Sequence, residues 1–333
     1  MTEQRAMVDV RMPTRSVAPY IHEAIDSVLA QTRSDWTLLI SENGAPGGKL
    51  EQDLKPYLAD PRIGYQAIGA DLSAATNHTR LITAGQAPYV GILHDDDRWD
   101  PDFLDRRVDF LERHPECGFV FSGNYEIDSQ SRRTEDSKLV LTEGVYAPNE
   151  FVPKLLRHNI IGMPTLLVRR AAYEAVGAAF DEGTTYFDYT MWLRLAFAFP
   201  VGYLPVRDAG YRVHDTQITM TAKGRGEMQV ELFKYVDGLL ASSPELAPDD
   251  ARWLRRRRAG AHLSAALDHL EDGERGPARA DVSQALRTYP RVAVDPRTPL
   301  ALVGFVGGGP ARRLIRRLRY LVLRKRLRVH LRN

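Results

Sequence analysis

Between residues 7 and about 122, short apolar runs alternate with helical patterns. The order is MVDVRMPT, a helix from Pro19 to Gln31, WTLLI, a helix near Lys49 to Leu58, RIGY, a helix from Ser73 to Ala84, YVGIL, a helix from Pro101 to His114, and GFVFS. Strands that take turns with helices of this length point to a mostly parallel sheet between helical layers, a three-layer α/β fold. In such sheets ligands bind beyond the carboxyl ends of the strands. The loops after Thr14, Ile40 and Leu93, reading TRSVAP, SENGAPGG and HDDDRWDP, are therefore expected to converge on one crevice.

From about 123 to 215 the rhythm is less regular. It shows a strand pair around KLVLTEGVYA, a short helix near Phe151 to Arg157, a strand TLLVRR, a helix near Tyr186 to Phe197, and VGYLPVRDAGYRVH. This region reads as an elaboration of the same domain, and the pattern beyond Gly224 is helical, broken by Pro and Gly. The expected organisation is one α/β domain over residues 1–222, a helical extension over 223–309, and a basic amphipathic helix over 310–333.

That last segment decides what the charge means. It holds ten Arg and Lys residues and no acid, with Leu314, Ile315, Leu318, Leu321 and Val322 at helical spacing, whereas the rest of the chain has 35 basic against 43 acidic residues. A basic amphipathic tail on an acidic body suggests peripheral contact with an anionic membrane surface, with docking on the body or RNA binding as alternatives. No nucleic-acid partner is expected for the body. Cys117 is the chain's one cysteine, so neither an intrachain disulfide nor a cysteine zinc cluster can form. The start, MTEQRAMVDV, has no signal-peptide pattern, and no run approaches the roughly 20 apolar residues of a membrane span. The expected location is cytoplasmic, at the inner face of the cell membrane if the tail binds there.

YVGILHDDDRWDPDFL is the most informative stretch, because a buried-strand pattern ends in Asp95, Asp96 and Asp97 where an α/β sheet opens to its ligand. Adjacent carboxylates repel one another, and a divalent cation with oxygen ligands, Mg2+ or Mn2+, compensates them and can clamp a diphosphate. A helix start, with Asp100 as N-cap and Asp102 in the first turn, accounts for the later acids but leaves the triplet unexplained.

Taken in order, MPT with PYIHEAIDSVLAQT, WTLLISENG, LSAATNHTRLITAGQAPYVGILHDDDRWDPDFL, YFDYTMWLRLA and YRVHDTQIT resemble the nucleotide-sugar glycosyltransferase family 2, whose catalytic domain has the GT-A fold. The resemblance covers residues 7 to 215. It implies that Pro13, Thr14 and Arg15 lie at the nucleobase of a donor, with Glu42 reading the base edge and Asn43 beside it. Ser73 and Asn77 would touch the nucleotide, with Thr76 standing where many relatives carry arginine. The family's metal motif falls on His94, Asp95 and Asp96. That implies Asp96 as metal ligand, Asp95 at the ribose or a metal-bound water, and Asp97 in support. His214 would close over the diphosphate or the ion, with Arg212 nearby. Phe187 replaces the first acid of a family pair and Asp188 keeps the second, which acts as general base.

The activity implied is transfer of a sugar, with inversion, from a UDP, GDP or dTDP donor to an acceptor hydroxyl on a lipid-linked or surface glycan. A sugar nucleotidyltransferase shares the sheet and the acids, although TRSVAP is not a triphosphate loop. A non-catalytic nucleotide-sugar-binding scaffold accounts for the acids lost at His94 and Phe187.

Overall fold

The computed structural model describes residues 6–15, 19–44, 48–182, 184, 186–213, 225–241 and 247–306. His214 and the basic segment 310–333 lie outside the described residues. The chain falls into two compact units, residues 1–183 with 187–215, and residues 184–186 with 216–333.

The first unit runs β1 (Val8–Thr14), α1 (Ile21–Leu29), β2 (Trp36–Glu42), α2 (Lys49–Leu54), β3 (Ile63–Ala67), α3 (Ala74–Thr83), β4 (Tyr89–Ile92), β5 (Arg98–Trp99), α4 (Phe103–Arg113), β6 (Phe119–Ile127), β7 (Arg133–Asp136), β8 (Gly144–Tyr146), α5 (Pro148–Arg157), β9 (Leu166–Arg169), α6 (Arg170–Ala175), α7 (Phe187–Ala198) and β10 (Val201–Arg212). The sheet order is β3-β2-β1-β4-β9-β6-β10-β5, with β7 paired to β6 and β8 to β10. β1 to β4 are parallel to one another, β6 is parallel to β10, and β9 enters antiparallel between β4 and β6. Thr14 pairs with Glu42 and Glu42 with Ala67, so the first three strands end in register and release their loops at one edge.

Each element follows from its residues. α1 buries Ile21, Ala24, Ile25 and Val28, one stripe at helical spacing. Trp99 stacks on Phe103 with ring centroids 4.2 Å apart, and its indole N–H donates to the Pro164 carbonyl at 2.7 Å.

β1 is buried almost throughout, yet Asp9 and Arg11 interrupt its apolar run on one face. They pair at 2.9 Å, Arg170 adds a second cation to Asp9, and Arg11 donates to the carbonyls of Leu81 and Ala84. Gly85 makes this packing sterically feasible. Its φ is +87°, and a Cβ there would stand 2.2 Å from the Arg11 guanidinium. A second buried pair joins Arg107 of α4 to Asp208 of β10 at 2.9 Å, and Arg107 also donates to Ser122 and to the Thr165 carbonyl.

Two local expectations change. KLVLTEGVYA yields only β8, because Arg207 draws the carbonyls of Ser137 and Leu139 to its guanidinium and Val140 stands exposed. α4 begins after Asp102, not Asp100, whose carboxylate instead accepts from the Tyr125 hydroxyl at 2.7 Å.

The second unit is helical: α8 (Arg225–Leu240), α9 (Pro248–Asp272), α10 (Arg275–Thr288) and α11 (Arg297–Val306). Ala266, Leu267, Leu270, Ala278 and Ala301 form one apolar cluster, and Ala259, Leu263, Ala285 and Val292 another. Small residues let the helices approach closely. A Cβ on Gly226 would meet the Ala265 nitrogen at 2.1 Å. Among the described residues no helix is long and apolar enough to cross a membrane.

Candidate active site

The carboxyl edge of the sheet gathers the acids expected there. After β4 the chain turns sharply, the Asp97 N–H donating to the His94 carbonyl at 3.2 Å. The Thr14 hydroxyl at the end of β1 donates to the Asp95 carboxylate. Arg212, at the end of β10, holds the turn from the other side. Its backbone N–H donates to Asp97 Oδ1 at 2.9 Å, and its Nε to the Asp96 carbonyl at 2.7 Å. The rest of that guanidinium is spent on the Asp128 carbonyl, the Ser131 hydroxyl and Glu23, and it lies over the Tyr20 ring. Arg212, expected at the donor, is fully buried and braces the acidic turn instead.

This bracing leaves the carboxyl groups of Asp95 and Asp97 without a compensating cation among the described residues, and burial works against their charged forms. Burial pushes Asp95 up to about 6 against the Thr14 hydrogen bond, and Asp96 adds to the rise. Asp97 is raised well above the usual carboxylate range by burial and then by Asp96. Asp97 Oδ2 is buried with no hydrogen-bond partner among the described residues. A nitrogen of His94 and carboxylate oxygens of Asp96 and Asp97 all lie within 4.8 Å of one another. A buried, unpartnered carboxylate oxygen beside two more N/O donors is a set that fits a divalent cation. Asp97 thus stands nearer the ligand set than its expected supporting place, and His94 joins it.

The residues expected at the nucleobase divide. Glu42 is 1% exposed, accepts from the Tyr65 hydroxyl, and keeps Oε1 without a partner among the described residues. Asn43, by contrast, commits its amide to the backbone of Leu72 in both directions, at 2.8 and 2.9 Å, and so clamps the loop ahead of α3. Pro13 sits on β1 beside Ser41 of β2. Arg15 makes an exposed pair with Asp71 at 3.0 Å. Ser73 caps α3 by accepting from the Thr76 N–H at 3.0 Å, and the Thr76 hydroxyl donates to Glu182. Asn77 is buried, accepting from Ser41 at 3.3 Å.

Asp188 opens the first turn of α7, its carboxylate accepting from the Tyr189 N–H at 2.7 Å. Burial raises it to about 6 against that bond. The neighbouring Phe187 packs on His78 with ring centroids 5.0 Å apart, and His78 Nε2 lies 3.1 Å from His94 Nε2. The start of α7 is thereby linked to the acidic turn through one imidazole. Burial drives His78 down to about 3, and it lowers His94 as well.

His78, Tyr65 and Glu23 were not among the residues expected here. A histidine next to Asn77 and another before the acid triplet were a readable signal. Nothing local in the sequence marks the other two.

Solved structures share this architecture. The chain matches Staphylococcus aureus TarS residues 1–349, solved with UDP-GlcNAc, at a TM-score of 0.66 and 13% identity over 92% of this chain and 90% of that one. It matches the mannosyltransferase PcManGT from Pyrobaculum calidifontis, solved with GDP-Man and Mn2+, at 0.55 and 17% identity over 98% and 83%. By sequence it is 29% identical to the uncharacterized glycosyltransferase EpsJ of Bacillus subtilis (strain 168), over 53% of this chain and 52% of that one. It is 26% identical to TuaG of the same organism, whose name provisionally places it in teichuronic acid biosynthesis, over 51% and 65%. The chain thus spans about half to two thirds of the length of these two relatives. The model of the family described as "Glycosyl transferase family 2" matches residues 9–176, half of the chain, and the chain belongs to that family.

Proposed function

We propose that this chain is a glycosyltransferase of glycan or glycoconjugate biosynthesis. It moves a sugar from a nucleoside diphosphate to an acceptor hydroxyl, with inversion at the anomeric carbon and with a divalent cation, Mn2+ or Mg2+. The observation that carries the reading is the braced acidic turn at the carboxyl edge of the sheet, with its unpartnered Asp97 oxygen, linked through His78 to the helix start that bears Asp188. The names of the family and of its relatives support the same reaction class.

The residues divide the work. Glu42, with Oε1 unspent, accepts from an N–H of the nucleobase, and Thr14 holds Asp95 toward the ribose. Asp96 and Asp97 hold the cation. When bound, it supplies positive charge to a diphosphate leaving group. Asp188, raised to about 6, is ionised at neutral pH yet basic enough to accept the proton of the acceptor hydroxyl. The hydroxyl oxygen then forms its bond to the anomeric carbon from the face opposite the diphosphate, which departs with the electron pair of the broken C–O bond. A proton acceptor on one side and a charge-stabilised leaving group on the other impose inversion.

A thermal-shift panel of UDP-, GDP- and dTDP-sugars with and without Mn2+ tests this reading. One nucleotide class should raise Tm only when Mn2+ is present, since a ligand at 100 times its Kd stabilises by about 2.7 kcal/mol. No shift with any of them contradicts it.

A further inference from the structure

The acidic turn contains one nitrogen donor among oxygens, and the helix behind it decides which ring atom that is. His78 Nδ1 lies 2.7 Å from the Ala74 carbonyl oxygen, one turn earlier on α3. A carbonyl only accepts, so Nδ1 carries the ring proton. His78 is 5% exposed, walled by the rings of Phe180 and Phe187 with centroids 5.6 and 5.0 Å away, and burial away from water disfavours a charged imidazole there. A neutral His78 then offers only a lone pair at Nε2, which faces His94 Nε2 at 3.1 Å. Two lone pairs cannot share that distance, so His94 Nε2 carries the proton between them, and the lone pair of His94 is left on Nδ1.

We propose that His94 Nδ1 ligates the cation together with Asp96 and Asp97, and that His78 is the positioning residue that fixes the His94 tautomer. The resulting mixed nitrogen and oxygen set favours Mn2+ over Mg2+. The inference rests on the reading of the acidic turn as a cation site. A metal-ligating histidine almost always donates its other N–H to an acceptor that fixes its orientation. Here the acceptor is a second imidazole. Mg2+ takes oxygen ligands in near-ideal octahedra, whereas an imidazole nitrogen suits first-row transition ions better. Burying two imidazoles against each other also costs free energy unless their polar atoms are used.

The first test is made on the metal-free full chain by two-bond 15N–1H correlation of its histidine rings. His78 should appear as the Nδ1–H tautomer and His94 as the Nε2–H tautomer. Equilibrium titrations with Mn2+ and with Mg2+ follow. The wild type should bind Mn2+ at least about tenfold more tightly than Mg2+, and His94→Asp should narrow that gap to about threefold or less. His78→Phe, which keeps the aromatic packing, should lose about 10- to 100-fold in Mn2+ affinity. His78→Gln, whose amide oxygen can accept the same hydrogen bond, should recover most of it. A His94 that carries its proton on Nδ1, or a Mn2+ to Mg2+ ratio unchanged in His94→Asp, overturns the proposal while leaving a cation site standing. Correct tautomers in a wild type that binds neither ion overturn the cation reading itself, and the proposal with it.

Discussion

Asp9 and Asp97 are both almost wholly buried, one near the start of β1 and the other just past the end of β4, and the protein treats them in opposite ways. Asp9 meets Arg11 and Arg170, and the buried Asp208, on β10, meets Arg107 and Arg106. Burial alone would push Asp208 up, but its arginines overcome that and hold it below the usual carboxylate range. At the carboxyl edge the balance is reversed, and Asp95, Asp97 and Asp188 are all raised. The arginine at hand, Arg212, supports the turn mainly through backbone groups and gives its charge to Glu23. Acids matched by arginine hold the sheet together, and acids left unmatched are costly as bare charges, a cost that a bound cation would relieve.

The predictions set these two groups against each other, beginning with the largest effect. Asp188→Asn should lower kcat by about 10²- to 10⁴-fold while donor affinity stays as in the wild type, measured by turnover and by nucleotide titration. Arg107→Met should cost up to roughly 3–5 kcal/mol in urea unfolding, because Asp208 keeps only the half-exposed Arg106 as its cation. Adding Asp208→Asn should return part of that loss. Arg212→Lys should lower Mn2+ affinity by about 10- to 100-fold, since an ammonium cannot span the Asp96 carbonyl, the Asp128 carbonyl and Glu23 together. An Arg212→Lys protein with unchanged affinity would reduce this residue to ordinary packing.

The smallest effect is one of pH on metal-free stability. The Asp188 carboxyl sits near 6 in the fold and near about 4 unfolded. Its contribution to stability is therefore complete below about pH 4 and is lost as the pH rises through about 6. Asp188→Asn should match the wild type at pH 4 and exceed it at pH 7.5. The gain should be on the order of 1 kcal/mol, because the side chain is partly open to solvent. Asp208→Asn should behave oppositely, its deficit relative to wild type complete above about pH 4 and shrinking as the pH falls below that, because Asp208 is held below the usual carboxylate range in the fold.

The sheet was legible in the sequence because the alternation of apolar runs and helices from residue 7 to 122 has only one common architecture. The acid triplet was legible because its cost is local: three carboxylates in a row need an explanation at any depth. Arg212 could not be assigned correctly. Its neighbours in the chain, Tyr211 and Val213, give no sign that Asp97, Glu23, Asp128 and Ser131 converge on it from three other segments. Asn43 misled for the same reason, since Leu72, which takes both ends of its amide, lies 29 residues away. The Asp9 and Arg11 pair was hidden inside a strand that otherwise reads as apolar, and its requirement for glycine at position 85 is visible only in three dimensions.

The central claim, that the unmatched acids form a cation-dependent nucleotide-sugar site, is tested most directly by linkage. Affinity for the nucleoside diphosphate that responds in the thermal-shift panel would be measured by calorimetry at rising Mn2+, in the wild type and in Asp96→Asn. The account predicts at least about a tenfold gain in nucleotide affinity with Mn2+ in the wild type, absent in Asp96→Asn, whose fold is intact. Nucleotide affinity that ignores Mn2+, or a gain that survives Asp96→Asn in full, would contradict it.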